Sequence, residues 1–221
     1  MRDNKTKRYF QNIAEDFDDI YDNRGTFLNR FINKVFRKGM YERATLAVKE
    51  CGNVEGKSIL DIGCGSGRIA LVLAAKGADV LGIDYSLNMV GLADGYLKSQ
   101  GGNMNAKFVC CDFMADFRSD KLFDITLALG VLDYITSPMP FLKKMRELTK
   151  EQMIVSYPAR FTLQMPIRKV WLWTRRCPVH FYTTRQLTRM YEPMAIRELK
   201  IMTMPTGARM PTDYLVKAVI K

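Results

Sequence analysis

The sequence predicts an α/β fold in which helices flank one doubly wound, mostly parallel sheet of seven strands. Short apolar runs alternate with stretches of helical periodicity, and several runs are apolar throughout, as in parallel strands buried on both faces. The chain has 221 residues, of which 48% are hydrophobic. A chain of this size buries one sizeable core and hardly two independent ones, so we expect a single domain.

The first strand and helix enclose a glycine turn. Ser58–Ile62 is apolar and is followed by glycines at 63, 65 and 67, and the helical segment 68–75 comes next. Glycines permit positive φ and close approach of a ligand, and a helix start offers unpaired N–H groups. A dinucleotide-binding G-x-G-x-x-G would need glycine at position 68, where Arg68 stands. This spacing disfavours an NAD site.

The pattern D-x-G-x-G-x-G, which begins at Asp61, resembles the first motif of class I S-adenosylmethionine-dependent methyltransferases. The resemblance implies a Rossmann-like sheet with an antiparallel C-terminal hairpin. It also implies that the turn packs against the methionine part of the cofactor while Asp61 interacts with its ammonium end. The turn residues expected to contact the cofactor are Gly63, Cys64, Gly65 and Gly67.

The second strand pattern, 78–84, ends in another acid, Asp84, about twenty residues beyond the glycines. A βαβ unit returns its second strand beside the first over such a distance, and a carboxylate there can accept both ribose hydroxyls. Ser86 is a suitable N-cap for the next helix. By resemblance, Tyr85 adjoins the cofactor and Met89 lies near its adenine.

Two further strand patterns complete the expected cofactor site. The segment 106–113 ends in Cys111, Asp112 and Phe113, where the family's acid or its backbone meets the adenine amino group. The segment 123–132 contains Leu129 and continues into the region where the methyl acceptor sits in this family.

The remaining chain gives the expected layout of one methyltransferase domain, residues 1–221. Residues 1–50 form an N-terminal helical lid, 51–158 the cofactor-binding half, 159–182 an insertion over the acceptor, and 183–221 a helix and hairpin. Within the lid, an apolar stripe at helical spacing precedes a longer helix, 27–48; the stripe comprises Tyr9, Phe10, Ile13, Phe17, Ile20 and Tyr21. Pro138 starts a helix, Thr183 and Gln186 form a capping-box pattern, and strands are expected at 151–158, 195–202 and 214–220.

The insertion is basic and aromatic. Residues 152–191 contain no Asp or Glu and seven Arg or Lys residues. Unopposed charge of one sign raises self-repulsion, so a ligand-binding role is favoured over packing. We expect this segment to line the pocket of an anionic small-molecule acceptor such as a carboxylate, phosphate or lipid-linked sugar. The alternatives are a solubilising surface or a peripheral contact with an anionic membrane.

Catalysis requires little acid–base chemistry, because a sulfonium methyl is already activated. Tyr134, after the fourth strand, and His180, the only histidine, are the candidate catalytic residues. Histidine is the side chain most often used as a general base near neutral pH, so His180 could serve in that role. The segments LGVLDYI and VSYPAR look closest to the magnesium-protoporphyrin type of methyltransferase, in which a histidine lies near the position of Tyr134.

Two other functions stay open. The net charge of +11 could provide a backbone footprint for RNA or DNA, although the (Asn/Asp)-Pro-Pro-Tyr motif of amino-methylating nucleic-acid enzymes is absent after the fourth strand. A non-catalytic cofactor-binding subunit is the third possibility. The five cysteines lack zinc-like spacing, so we expect no metal and reduced, mostly buried thiols in a cytoplasmic protein. No pattern indicates an oligomeric state.

Overall fold

The computed structural model describes residues 27–160, 179–205 and 211–220, with side chains from residue 39 onward. Residues 1–26 of the expected N-terminal lid, which include its apolar stripe, and most of the insertion, 161–178, lie outside the described residues. The strands are β1 (Ser58–Ile62), β2 (Asp79–Asp84), β3 (Ala106–Cys110), β4 (Phe123–Ala128), β5 (Thr149–Pro158), β6 (Glu198–Met204) and β7 (Asp213–Val219). The helices are α1 (Phe27–Cys51), α2 (Arg68–Ala75), α3 (Leu87–Ser99), α4 (Pro138–Glu147) and α5 (Thr184–Tyr191), followed by a 3₁₀ turn, Glu192–Met194.

The seven strands form one sheet in the order β3-β2-β1-β4-β5-β7-β6. The first five strands pair in parallel, and β7 runs antiparallel between β5 and β6. The predicted fold class is therefore confirmed. The strand order reverses between β1 and β4, and open α/β sheets bind ligands at the carboxyl ends of the strands beside such a reversal.

Two strands are shorter than their apolar patterns predict. β3 ends at Cys110 and β4 at Ala128, not at 113 and 132. After β3, the Asp112 carboxylate accepts N–H groups of its own turn, and after β4, Gly130 takes a φ of 76°. The backbone therefore turns away from the sheet after each of these two strands, at the carboxyl edge. Elsewhere the expected and observed strand ends differ by up to three residues.

The predicted helix starts are confirmed. The Ser86 hydroxyl accepts the N–H of Met89, Pro138 begins α4, and Thr183 and Gln186 form a reciprocal capping box. The C-terminal end of α1 is tied to the sheet, because Lys217 Nζ donates to the Glu50 carbonyl at 2.7 Å and Gln152 donates to the carbonyl of Cys51 at 3.0 Å. These contacts fix α1 along one face of the sheet.

The core consists of two clusters, one on each face. Ile59, Ile125 and Ile154 pack towards α1, α2 and α3, whereas Leu60, Met153 and Val155 pack towards α4 and α5. Successive residues of a strand alternate in this way between the faces. Within the part of the chain that the structure describes, no helix combines the length and apolarity needed to cross a membrane.

The expectation of mostly buried thiols is wrong for the described cysteines. Cys51 is buried, Cys64 and Cys111 are half-buried, and Cys110 is exposed; all four are free thiols. The reason is positional, because Cys64, Cys110 and Cys111 lie at or beyond strand ends and only Cys51 lies under the sheet.

Candidate active site

The glycine turn after β1 is held by β2 and by its own backbone. The N–H groups of Gly63 and Cys64 both donate to the carbonyl of Ile83, at 2.7 and 3.0 Å, and the N–H of Gly67 donates to the carbonyl of Cys64 at 3.0 Å. Gly63, Gly65 and Gly67 have φ values of 71°, 53° and 75°. The left-handed conformation is costly for other residues. The turn therefore requires glycine at these positions.

The three glycines differ in what surrounds them. A Cβ on Gly63 would clash with Val131, and a Cβ on Gly67 would lie 2.7 Å from the ring of Phe108 and 2.8 Å from Ala93. A Cβ on Gly65 would have nothing within 4 Å. Gly63 and Gly67 thus pack the turn against its neighbours, while Gly65 faces open space that a ligand can enter.

Asp84 connects the turn with the end of β2. One carboxylate oxygen accepts the N–H of Gly65 at 3.0 Å, and the other accepts the N–H of Ser86 at 2.8 Å. Burial raises the pKa of Asp84, and the backbone hydrogen bonds oppose that rise. Each carboxylate oxygen has two acceptor sites. Asp84 can therefore keep both bonds and still accept further hydrogen bonds from a ligand.

Asp61 lies beneath the turn with an unsatisfied oxygen. The residue is 2% exposed, and its Oδ2 atom has no hydrogen-bond partner among the described residues. Burial, together with the nearby charge of Asp84, raises the pKa of Asp61 to about 7. A buried carboxylate with an orphaned oxygen is costly to leave without a donor. The site is thus suited to a cationic group that donates hydrogen bonds, as the ammonium of an amino acid does.

A tight turn follows β3. The carbonyl of Asp112 accepts the N–H groups of Asp116 and Phe117, and its side chain accepts those of Met114 and Ala115. The N–H of Cys111 donates to the carbonyl of Asp84 at 2.9 Å, which ties this segment to β2. The turn therefore lies beside Asp84, at the position where the sequence predicts adenine.

The other predicted adenosine contacts surround this turn. Tyr85 is half-buried, and its carbonyl accepts the exposed Cys110 thiol at 3.6 Å. Met89 and Phe113 are 5% and 7% exposed. The Phe113 ring packs in the core, 4.8 Å from the ring of Phe141 between centroids. The roles expected of these residues stay predictions.

The segment after β4 joins the glycine turn to the end of β5. The N–H of Gly130 donates to the Ser156 hydroxyl at 2.8 Å, and Val131 packs on Gly63. Leu129, the predicted cofactor contact, is half-buried just before this point. The segment thus borders the open face of the turn.

The two candidate catalytic residues come from distant parts of the chain and meet on this segment. The N–H of His180 donates to the carbonyl of Asp133 at 2.8 Å, directly before the half-buried Tyr134. The Nε2 atom of His180 is buried without a hydrogen-bond partner among the described residues. His180 therefore offers a ring nitrogen for a ligand, and neutral imidazole can accept a proton there.

Two tyrosines near this segment have hydroxyls that are engaged within the protein. Tyr157 is fully buried, and its hydroxyl is 2.7 Å from that of Tyr191. Burial and the neighbouring Tyr191 hold the pKa of Tyr157 well above its usual value. The hydroxyl of Tyr182 donates to the carbonyl of Leu132 at 3.3 Å, and burial raises its pKa to about 12. The Tyr182 hydroxyl thus braces the segment after β4, while that of Tyr157 pairs within the core.

Arg43 is a residue that the sequence reasoning missed. It lies on α1, its side chain is 15% exposed, and its guanidinium is 3.6 Å from the Asp213 carboxylate. A Cβ on Gly130 would lie 2.8 Å from Arg43 Nη1, and the buried Nε has no hydrogen-bond partner among the described residues. The only signal in the sequence is a charge one helical turn before the buried Ala47.

Comparison with known proteins identifies the family. A family model described as a methyltransferase domain matches residues 53–192. The ubiquinone biosynthesis O-methyltransferase of Paraburkholderia phymatum is 32% identical over 98 residues, which cover 44% of this chain and 42% of that protein. The Coxiella burnetii enzyme of the same name is 30% identical over 119 residues, covering 54% and 47%. The chain thus matches less than half the length of these relatives.

The fold is shared over the whole chain with a solved methyltransferase. The magnesium protoporphyrin IX methyltransferase of Synechocystis PCC 6803, solved with bound S-adenosylhomocysteine, superposes with a TM-score of 0.78 at 21% identity, covering 100% of both chains. With the glycine turn, the two strand-end acids and the family match, the assignment is complete. The chain belongs to the class I S-adenosylmethionine-dependent methyltransferases.

Proposed function

We propose that the chain transfers the methyl group of S-adenosylmethionine to a small-molecule acceptor that carries an anionic group. The observation that carries the donor half of this proposal is the unsatisfied Asp61 carboxylate beneath the open glycine turn. Asp61 lies two residues after Ile59 and so shares the face covered by α1, which presents Arg43. One face thus provides an anion and a cation for the zwitterionic methionine end.

Each part of the donor site has a matching group. Asp61 accepts hydrogen bonds from the ammonium, Arg43 donates to the carboxylate, and Asp84 accepts the ribose hydroxyls. The turn after β3 borders the adenine. When bound, S-adenosylmethionine supplies a methyl group already activated by its positive sulfur. The protein's remaining task is to orient an acceptor atom and exclude water.

The acceptor half is assigned to the segment after β4 and to the residues that contact it. The buried Nε2 of His180 accepts the proton of an acceptor hydroxyl or amine, and Tyr134 is assigned to contact the same acceptor. The supporting geometry is the bond between His180 N–H and the Asp133 carbonyl, which anchors the histidine one residue from Tyr134. Methylation at oxygen fits this arrangement best, because a hydroxyl benefits most from a general base.

The charge of the insertion supports an anionic acceptor. Both ends of the insertion are bonded to each other at the carboxyl end of β5: Arg160 N–H donates to the Tyr182 carbonyl and Tyr182 N–H donates to the Pro158 carbonyl, each at 2.9 Å. The segment between them therefore leaves and rejoins the sheet beside the acceptor half. Its sequence carries Arg168, Lys169, Arg175 and Arg176 and no acid.

A first experiment tests the donor half. Calorimetry should give low-micromolar affinity for S-adenosylhomocysteine, about 7–8 kcal/mol, and weaker binding of NAD. Incubation of S-adenosylmethionine with carboxylated and phosphorylated hydroxy compounds should then yield S-adenosylhomocysteine by mass spectrometry. Tighter binding of NAD, or no binding of either adenosyl compound, would refute the proposal.

A second experiment tests the acceptor half. Replacing Arg175 and Arg176 by alanine should raise the KM of the acceptor and leave affinity for S-adenosylhomocysteine unchanged. The matched control replaces the exposed Lys121 and Lys143, which removes the same charge. The opposite outcome is that neither variant changes the KM of the acceptor and both lose salt-dependent retention on RNA, DNA or anionic vesicles to the same extent. The basic residues would then form a general charged surface, and the proposal of an anionic acceptor would be wrong.

A further inference from the structure

Lys144 makes an unusual set of contacts for a lysine on an amphipathic helix. Its Nζ atom donates to two backbone carbonyls, that of Phe113 and, at 2.7 Å, that of Phe117. The ammonium also lies 4.8 Å from the centroid of the Phe113 ring and 6.0 Å from that of Phe117. Together, the hydrogen bonds and the cation–π contacts hold the Lys144 side chain in one position, unlike a lysine that is surrounded by water.

The two carbonyls belong to the turn after β3. Its first N–H groups are capped by the Asp112 side chain, and the N–H groups of Asp116 and Phe117 both go to the Asp112 carbonyl. The turn's own donors therefore leave the Phe113 carbonyl to Lys144. Asp112 closes one end of the turn and Lys144, from α4, closes the other, as capping groups do at helix ends.

The turn is also connected with the donor site by its first residues. Cys111 N–H donates to the Asp84 carbonyl at 2.9 Å, and Asp84 in turn accepts the N–H of Gly65. Any displacement of the turn would change its distance from Asp84. Lys144 is thus linked to the Asp84 backbone through this turn.

We propose that Lys144 is a positioning residue for adenine, holding the turn Asp112–Phe117 in its binding shape from a helix outside the pocket. This inference rests on the proposed binding of an adenosyl cofactor. Loss of the brace lowers the fraction of molecules whose turn is competent, and the apparent affinity falls by that fraction. Without the brace the turn also takes shapes that leave room for bulk on the adenine amino group, so S-adenosylhomocysteine loses more affinity than an analogue that carries such bulk.

The test measures affinity for S-adenosylhomocysteine and for its N6-methyl analogue in four proteins. These are the unchanged protein, Lys144→Met, Lys144→Arg and Lys143→Met, the last being a control at an exposed lysine on the same helix. Lys144→Met keeps the length and apolar stem but loses the donors. We expect its Kd for S-adenosylhomocysteine to rise about tenfold, or about 1.4 kcal/mol, and the ratio of the two Kd values to move towards one.

Lys144→Arg should restore most of the affinity and of the ratio, because a guanidinium can donate to two carbonyls. Lys143→Met should match the unchanged protein. The inference is wrong if Lys144→Met binds within twofold of the unchanged protein, or if both ligands weaken equally with the ratio intact. If Lys144→Met does not fold, Lys144→Gln, whose shorter side chain keeps amide N–H donors but loses the charge, takes its place under the same criteria. Failure of the unchanged protein to bind either ligand would refute the proposed function and this inference with it.

Discussion

The ionisation of Asp61 should make both stability and cofactor affinity depend on pH near neutrality. Its pKa is raised from the ordinary 3.8 to about 7, mainly by burial and then by the charge of Asp84. Each pKa unit corresponds to about 1.4 kcal/mol, so ionising Asp61 in the folded protein costs roughly 4 kcal/mol more than in the unfolded chain.

The sign for stability follows from the direction of the change. Because the folded pKa lies above the unfolded one, the contribution of Asp61 is fully present below about pH 4 and is lost as the pH rises to about 7. Asp61→Asn cannot ionise. Over that window, the unfolding free energy of the unchanged protein should therefore fall by roughly 4 kcal/mol relative to that of the variant. Urea unfolding of both proteins at intervals from pH 4 to 8 measures it.

The sign for binding is opposite. An ammonium favours the ionised carboxylate, so S-adenosylhomocysteine should bind more tightly as the pH rises, about tenfold per unit up to pH 7 and little beyond. Calorimetry in buffers of different ionisation enthalpy should detect about one proton released per ligand at pH 5.5 and almost none at pH 8.5. If the Asp61→Asn variant shows the same pH dependence of Kd and the same proton release as the unchanged protein, Asp61 is not the partner of the ammonium.

Three further predictions concern single positions. Asp84→Ala should weaken S-adenosylhomocysteine binding by about 1.5–3 kcal/mol for each charged hydrogen bond lost, measured by calorimetry; unchanged affinity would exclude a ribose contact. Arg43→Gln should raise the Kd of the same ligand at least tenfold without changing that of adenosine, since only the amino-acid end needs the cation; an equal loss for both would contradict the assignment. Gly67→Ala should lower the unfolding free energy by about 2–4 kcal/mol, because Gly67 has a left-handed φ and a Cβ there would press on Phe108. Gly91→Ala is the control: Gly91 lies in a helix, a Cβ there would have nothing within 4 Å, and the change should be neutral or stabilising.

The sequence predicts that Asp61, the glycine turn and Asp84 lie close together, and they do, because they are near in the chain to the strands that place them. Asp61 lies one residue before the end of β1, Asp84 ends the adjacent β2, and the glycines between them determine the turn. Strand ends are less predictable: β3 and β4 stop early because Asp112 and Gly130 turn the backbone, although the apolar pattern continues. A local hydrogen bond outweighs β propensity there.

Residues that reach the site from helices are not predictable in this way. Arg43 and Lys144 lie on amphipathic helices, and their sequence neighbourhoods resemble those of solvated charges. Their surroundings depend on how α1 and α4 dock on the sheet, which involves distant contacts such as that of Lys217 with Glu50. Tyr157 illustrates the reverse case, since its strand-end position suggests chemistry but its hydroxyl is paired in the core.

Because a β-bridge joins Ala159 to Tyr182, the stability of the sheet does not depend on the composition of the insertion between them. Since the chain is clamped on both sides of residues 161–178, the register of β5 against β4 and β7 does not require any particular sequence between them. Lengthening a clamped loop costs only slowly increasing closure entropy. If the segment lines the acceptor pocket as proposed, it can be exchanged for one of another length or charge while the glycine turn stays in place, so acceptor preference can change by natural divergence or by loop grafting without loss of the sheet.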